Sequence, residues 1–141
     1  MQISKILQAK GREVATITPD LTIQQAAERL HQERVGALIV AVSGEVRGIL
    51  SERDIVRAIA AQGATILTSA VSQIMTTNVI YASPTETVEA LLERMTDRRI
   101  RHLPVMDHTG LAGIVSIGDL VKAKIALHEE EAASMRAYIA S

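Results

Sequence analysis

The sequence predicts an α+β fold made of two β-α-β-β-α units packed as a pseudo-two-fold pair. Three observations lead there. One pattern is written twice: Gly48-Ile49-Leu50-Ser51-Glu52-Arg53-Asp54-Ile55-Val56 returns 65 residues later as Gly113-Ile114-Val115-Ser116-Ile117-Gly118-Asp119-Leu120-Val121. Each copy follows the same succession of strand, helix and hairpin signals. Each unit is also too small to close a core alone, so self-similar units must pack together.

Ile3, Ile6 and Leu7 share one face of a short helix that Gly11 ends. Residues 14–17 (Val-Ala-Thr-Ile) read as a strand, and Pro19-Asp20 turns the chain. Thr22 and Gln25 fit a capping box, and Ile23, Ala26, Ala27 and Leu30 make the apolar face of the helix that follows. Residues 37–42 form an unbroken apolar run, predicting a strand buried on both faces. Ser43-Gly44-Glu45 turns into a second strand, residues 46–50. A helix bearing Ile55, Val56, Ile59 and Ala60 then runs to Gly63. Residues 65–70 read as a linker, and residues 71–75 repeat the small leading helix. From Val79 the second copy is in register without a gap: Pro84 answers Pro19, Thr87 answers Thr22, and Arg99 answers Arg34. His108-Thr109-Gly110 is the second hairpin turn. The expected division is residues 1–65 for the first repeat, 66–128 for the second, and 129–141 for an extension of the last helix. The Glu129-Glu130-Glu131 triplet there reads as a solvated face.

Two differences between the copies bear on function. Pro104 stands where the first repeat has Ile39, which removes a ladder donor from that strand. Ile117-Gly118 replaces Glu52-Arg53, so only the first turn carries its own cation.

Composition excludes several classes. The chain has 141 residues and a net charge of −1, so no global field draws it to nucleic acid or an anionic membrane. The absence of cysteine excludes disulfides and thiol chemistry and suits a reducing cytoplasm. No apolar run approaches the length of a membrane span, and the first residues lack a signal-peptide core. With two tyrosines as the only aromatic residues, a bound base must lie between aliphatic side chains. His31, His102, His108 and His128 show no metal-binding spacing, so no metal site is expected.

The two turns carry the chemistry. Ser-x-x-Asp ahead of an apolar-periodic run is, at its simplest, a helix cap with the acid in the first turn. The same turn leaves N–H groups that suit an anion, and its aspartate can accept two hydroxyl hydrogen bonds. Capping and binding are compatible. Arg98, Arg99, Arg101 and His102 form a basic cluster before a strand, read either as a solvated helix end or as a phosphate clamp.

The doubled Gly-x-x-Ser-x-x-Asp, the run Arg34-Val35-Gly36-Ala37-Leu38, the run Ile100-Arg101-His102-Leu103-Pro104-Val105 and the prolines at 19 and 84 together resemble a tandem CBS-domain protein, a family named from cystathionine β-synthase. The resemblance spans about residues 3 to 127. It implies a non-catalytic regulatory module that binds adenosine-containing ligands, AMP, ATP or NAD(H), in a cleft between its two repeats. It also implies two sites. The first would use Ser51, Arg53 and Asp54 with Ile80, Ile100, Arg101 and His102. The second would use Ser116 and Asp119 with Ala15, Val35, Gly36 and Ala37. Because Gly118 offers no cation, the Ser51 site is expected to hold phosphorylated ligands more tightly.

Alternatives remain at this level: a ligand-independent protein-interaction module, a sensor of S-adenosylmethionine, and, weakest, a hydrolase of the bound nucleotide. Neither serine has a nearby histidine in sequence or a Gly-x-Ser-x-Gly turn. Helix faces carrying Ile55, Ile59, Leu91 and Met95 suggest a covered surface, and a homodimer is the expected assembly. The regulated partner is another, unspecified protein.

Overall fold

The computed structural model describes residues 1–140. Its helices are α1 (Ile3–Lys10), α2 (Ile23–Glu33), α3 (Glu52–Gln62), α4 (Val88–Arg98) and α5 (Ile117–Ala140). Its strands are β1 (Thr16–Ile17), β2 (Ala37–Val42), β3 (Glu45–Ser51), β4 (His102–Asp107) and β5 (Gly110–Ser116). The α+β class read from the sequence is the one observed. The chain divides into two compact units, Val14–Val79, and Met1–Glu13 together with the residues from Ile80 onward.

In the Val14–Val79 unit, β1 pairs parallel with β2, and β2 pairs antiparallel with β3. Thr22 caps α2 through a complete capping box with Gln25, as its spacing predicts. Ser43 and Gly44 both adopt positive φ at the β2–β3 turn, the backbone that a two-residue hairpin of this twist requires. Ile23, Ala26 and Leu30 of α2 close over Leu38, Val40 and Leu50, with Ile55 and Ala58 of α3 alongside. The first strand is shorter than the sequence suggests; Ala15 contributes only its carbonyl, which accepts from Ile39 N–H at 3.1 Å. Residues 65–70 are not a slack linker. Ala64–Thr68 is a 3-10 helix, and Ile66 enters the core. The repeat of the small leading helix is reduced to one 3-10 turn, Val71–Gln73, with Val71 fully buried.

The other unit repeats the β-hairpin as β4 and β5, with a register shift after Val105 matching the one after Val40. Its first strand is missing as such. Ala82 makes a single parallel bridge to Val105, through Ala82 N–H to Pro104 O and Met106 N–H to Ala82 O, both 2.9 Å. The cause is Pro104: the bond that Ile39 donates to Ala15 has no counterpart, since proline has no N–H to give Ile80. The core joins Leu91 and Met95 of α4 to Leu103, Val105, Val115 and Leu120.

The units do not follow the repeat boundaries expected from the sequence. Ile3, Ile6 and Leu7 of α1 pack into the core of the second repeat, and Val71 packs into that of the first. The attachments match: Ile3 N–H donates to Glu86 O and Val88 N–H to Met1 O, while Ile23 N–H donates to Ser69 O and Val71 N–H to Leu21 O. Each small helix thus closes the sheet–helix layer of the repeat it does not lead. The faces expected to be uncovered differ too. Ile55, Leu91 and Met95 are buried; Ile59 is exposed as expected, and the exposed apolar side chains also include Val56, Val121 and Ile125.

Candidate functional site

In the Val14–Val79 unit, β3 ends at Ser51 and α3 begins at once. Ser51 Oγ accepts Asp54 N–H at 3.2 Å, and Asp54 Oδ2 accepts Ser51 N–H at 2.9 Å. This reciprocal box satisfies two donors of the helix start and fixes the carboxylate over the turn. Ser51 pairs with Ala37, and Glu52 N–H donates to Gly36 O at 3.0 Å. Because β1 and β2 are parallel and β3 returns antiparallel, Ala15, Val35, Gly36, Ala37 and Ser51 gather at one end of the sheet. Arg53 is exposed there. An open groove of about 900 Å³ between α2 and α3 flanks this end, lined among others by His31, Arg34, Val35, Gly36, Glu52 and Val56.

The second turn has the same form. Ser116 Oγ accepts Asp119 N–H at 3.1 Å, and Asp119 Oδ2 accepts Ser116 N–H at 2.9 Å. Ser116 pairs with His102, and Ile117 N–H donates to Arg101 O at 2.8 Å. Ile80 and Ile100 are half-buried beside it, and Arg101 is exposed. Arg98 closes α4 and Arg99 is its left-handed cap residue. Each set expected from the resemblance combines a turn with the strand starts of the other repeat; within each unit, the geometry joins each turn to the strand starts of its own.

Sequence reasoning missed Lys10. Its ammonium donates to Asp119 Oδ2 at 2.6 Å and to Ile114 O at 2.8 Å. Burial of the Asp119 carboxyl opposes its ionisation, but hydrogen bonds from Lys10 and the Ser116 N–H, with the Lys10 charge, hold its pKa below the usual carboxylate value. Among the described residues, no lysine or arginine forms an ion pair with Asp54. Lys10 and Asp119 lie 109 positions apart, so no local spacing announces the pair. The edge of the hairpin differs accordingly. In the first repeat, Ile49 exchanges backbone bonds with Thr76 at 3.0 and 2.9 Å; in the second, the carbonyl of the equivalent Ile114 is met by the Lys10 side chain.

The glycines of the two turns also have packing reasons. A Cβ on Gly48 would stand 2.7 Å from the Thr76 carbonyl oxygen, and one on Gly113 would stand 2.7 Å from Leu7 Cδ2. What approaches each glycine closely is thus part of this chain, a backbone oxygen at Gly48 and a side chain at Gly113. Among the described residues, no cluster of three histidine or acidic side chains could hold a metal, and no helix is long and apolar enough to cross a membrane.

Strand–helix turns of this kind, duplicated on two sheet-and-helix units, define a tandem CBS-domain protein, and comparison agrees. A family model described as CBS domain matches residues 9–61 and again residues 71–126, so the chain belongs to the CBS-domain family. The CBS domain-containing protein CBSX3, mitochondrial, of Arabidopsis thaliana is 38% identical over 146 residues, spanning 97% of this chain and 71% of that one. The crystal structure of the CBS-domain protein ATU1752 of Agrobacterium tumefaciens superposes with a TM-score of 0.86 at 46% identity, over 88% of this chain and 99% of that one. Two further solved structures hold ligands. They are PAE2072 of Pyrobaculum aerophilum complexed with AMP (TM-score 0.72, 28% identity, 84% of this chain, 89% of that one) and the CBS pair of protein MJ0100 with 5′-methylthioadenosine and S-adenosylmethionine (TM-score 0.78, 26% identity, 89% and 97%).

Proposed function

We propose that this chain is a non-catalytic regulatory module that senses an adenosine-containing ligand, AMP, ATP or NAD(H), through its two Ser-x-x-Asp turns. The observation that carries this reading is the chemistry each turn leaves unspent. The serine hydroxyl accepts in the capping box and keeps its proton to donate, and Asp54 and Asp119 are engaged through Oδ2 alone. A hydroxyl donor beside a carboxylate oxygen suits a phosphate next to a ribose diol. That PAE2072 carries AMP and MJ0100 carries adenosyl ligands supports the adenosine part. The two residue sets implied by the resemblance, one around Ser51, Arg53 and Asp54 and one around Ser116 and Asp119, belong to this proposal. So do the cytoplasmic location, the homodimer and an unidentified regulated protein.

The Ser51 turn is the tighter site for phosphorylated ligands in this reading. Arg53 is exposed beside it, whereas the other turn has Gly118 at the matching position, and its Asp119 is already bonded to Lys10. A thermal-shift screen against AMP, ADP, ATP, NAD⁺, NADH and S-adenosylmethionine tests the sensor. A ligand at 100 times its Kd adds about 2.7 kcal/mol, a rise of several degrees. No shift at millimolar ligand would overturn the reading. Calorimetry then compares Asp54→Ala with Asp119→Ala; equal losses of nucleotide affinity would refute the ranking of the sites.

A second reading has its own support. Both glycines are accounted for by internal packing and both serine–aspartate pairs already close helix caps. A ligand-independent interaction module therefore predicts no response to any of the six compounds.

A further inference from the structure

From His128 to Ala140 every residue of α5 is exposed, and the family match ends at residue 126. A helical stretch of this length, exposed throughout, is marginal in water. Yet α5 continues unbroken to Ala140. One side of it is apolar, with Val121 45%, Ile125 55%, Met135 61% and Ile139 77% exposed. Val121, Ile125, His128, Ala132, Met135 and Ile139 follow one another at alternating spacings of four and three, the d and a positions of a heptad. At about 100° per residue, this seam lies roughly 130° around the helix from Leu127 and Ser134. Those two face Met1 and Lys5 across a groove of about 700 Å³, and only Met135 belongs to both faces.

The charges flanking the seam choose its occupant. In a parallel pair of identical helices, each g position meets the next e position of the other chain. Here Lys124 meets Glu129 of the second copy, and Glu131 meets Arg136 of the second copy. Both pairs are attractive, and two-fold symmetry makes each occur twice. An antiparallel pair centred on His128 and Ala132 brings together Glu129 with Glu129, Glu131 with Glu131, and Lys122 with Arg136, all repulsive. We propose that α5, from Val121 to Ile139, forms a parallel two-stranded coiled coil with the same helix of a second copy of this chain. His128 at a seam position and Ala132 next to it make the coil weak and fix its register. This inference stands independently of the ligand reading, since no turn residue takes part.

The absence of cysteine makes the test direct. Met135→Cys places one thiol on the seam, and Ala133→Cys places one on the opposite side. Under mild oxidation of the full chain at low ionic strength, Met135→Cys should give a disulfide-linked dimer several-fold faster than Ala133→Cys. Adding Arg136→Glu to Met135→Cys sets Glu131 against a glutamate and should slow cross-linking; adding Glu131→Lys as well restores the attraction and the rate. No cross-linking at 135, equal cross-linking at 133, or faster cross-linking with Arg136→Glu alone would overturn the proposal; in the antiparallel pair the two thiols at 135 would lie about ten residues, roughly 15 Å, apart and could not link. Both thiol variants sit on an exposed helix, so each should melt as the parent chain does; if Met135→Cys does not, it is replaced by Ile139→Cys, another seam position, and if Ala133→Cys does not, by Ala137→Cys, also off the seam.

Discussion

Replacing Lys10 by methionine keeps the aliphatic stem and removes the ammonium, which makes it the cleanest perturbation of the second turn. The variant loses two hydrogen bonds, to Ile114 O at 2.8 Å and to Asp119 Oδ2 at 2.6 Å. Charge-assisted bonds are worth about 1.5–3 kcal/mol when shielded. The Lys10 and Asp119 side chains, however, keep 35% and 26% of their surface in water, which brings the net value toward the range of surface pairs. We expect a cost of about 1 kcal/mol at neutral pH, or a fall in Tm of about 3 °C for a chain of this size. The pH dependence follows from the depressed pKa of Asp119 in the folded state. Stability from the pair is present above the unfolded value near 3.8 and is lost as pH falls through the lower folded value. Chemical denaturation of the parent, Lys10→Met, Asp119→Asn and the double variant measures the coupling. It should be about 1 kcal/mol at pH 7 and shrink below pH 4. A coupling near zero at pH 7, or one equally large in acid, would refute the reasoning.

The two turn glycines should respond differently to alanine. At Gly48 the new methyl meets a backbone oxygen that Thr76 cannot withdraw without opening its two bonds to Ile49, so a cost of about 2–3 kcal/mol is expected. At Gly113 it meets the end of the Leu7 side chain, which can turn aside, for about 1–2 kcal/mol. Urea unfolding ranks them, and a costlier Gly113→Ala would contradict this account. Arg94 holds Glu86 through two bonds of 2.8 Å, and chiefly that contact, against burial, keeps the Glu86 pKa low. Glu86→Gln should therefore cost about 1 kcal/mol at neutral pH and progressively less in acid, as the parent protonates; a cost independent of pH would argue for a packing effect instead.

Local rules made much of this legible in advance. The capping boxes at Thr22 and Ser51 need only residues three apart, and the structure shows both closed. The apolar run at residues 37–42 announced β2 for the same reason, and the repeat carried it over to β4. What escaped the sequence depends on distant partners. The strand expected at residues 79–82 shrinks to a bridge because a proline on another strand withholds its donor. Lys10 looks like an ordinary surface lysine until the fold carries it to Asp119. The glycines recur in the repeated pattern, but what approaches them, Thr76 and Leu7, comes from segments outside it. Both small helices were found; which core each would enter was not written in their own residues.

That exchange has a consequence for the order of assembly. The Val14–Val79 unit is one unbroken stretch of chain, complete in its contacts once its last residues are made. The other unit is discontinuous: its first segment, Met1–Glu13, emerges first and must wait for Leu103, Val115 and Leu120. During synthesis from the N-terminus, Ile3, Ile6 and Leu7 therefore stay without their core while the intervening unit folds. Folding of that unit shortens the effective loop that α1 must close, because its ends are already held. The middle of the chain comes to rest first, and its two ends meet last.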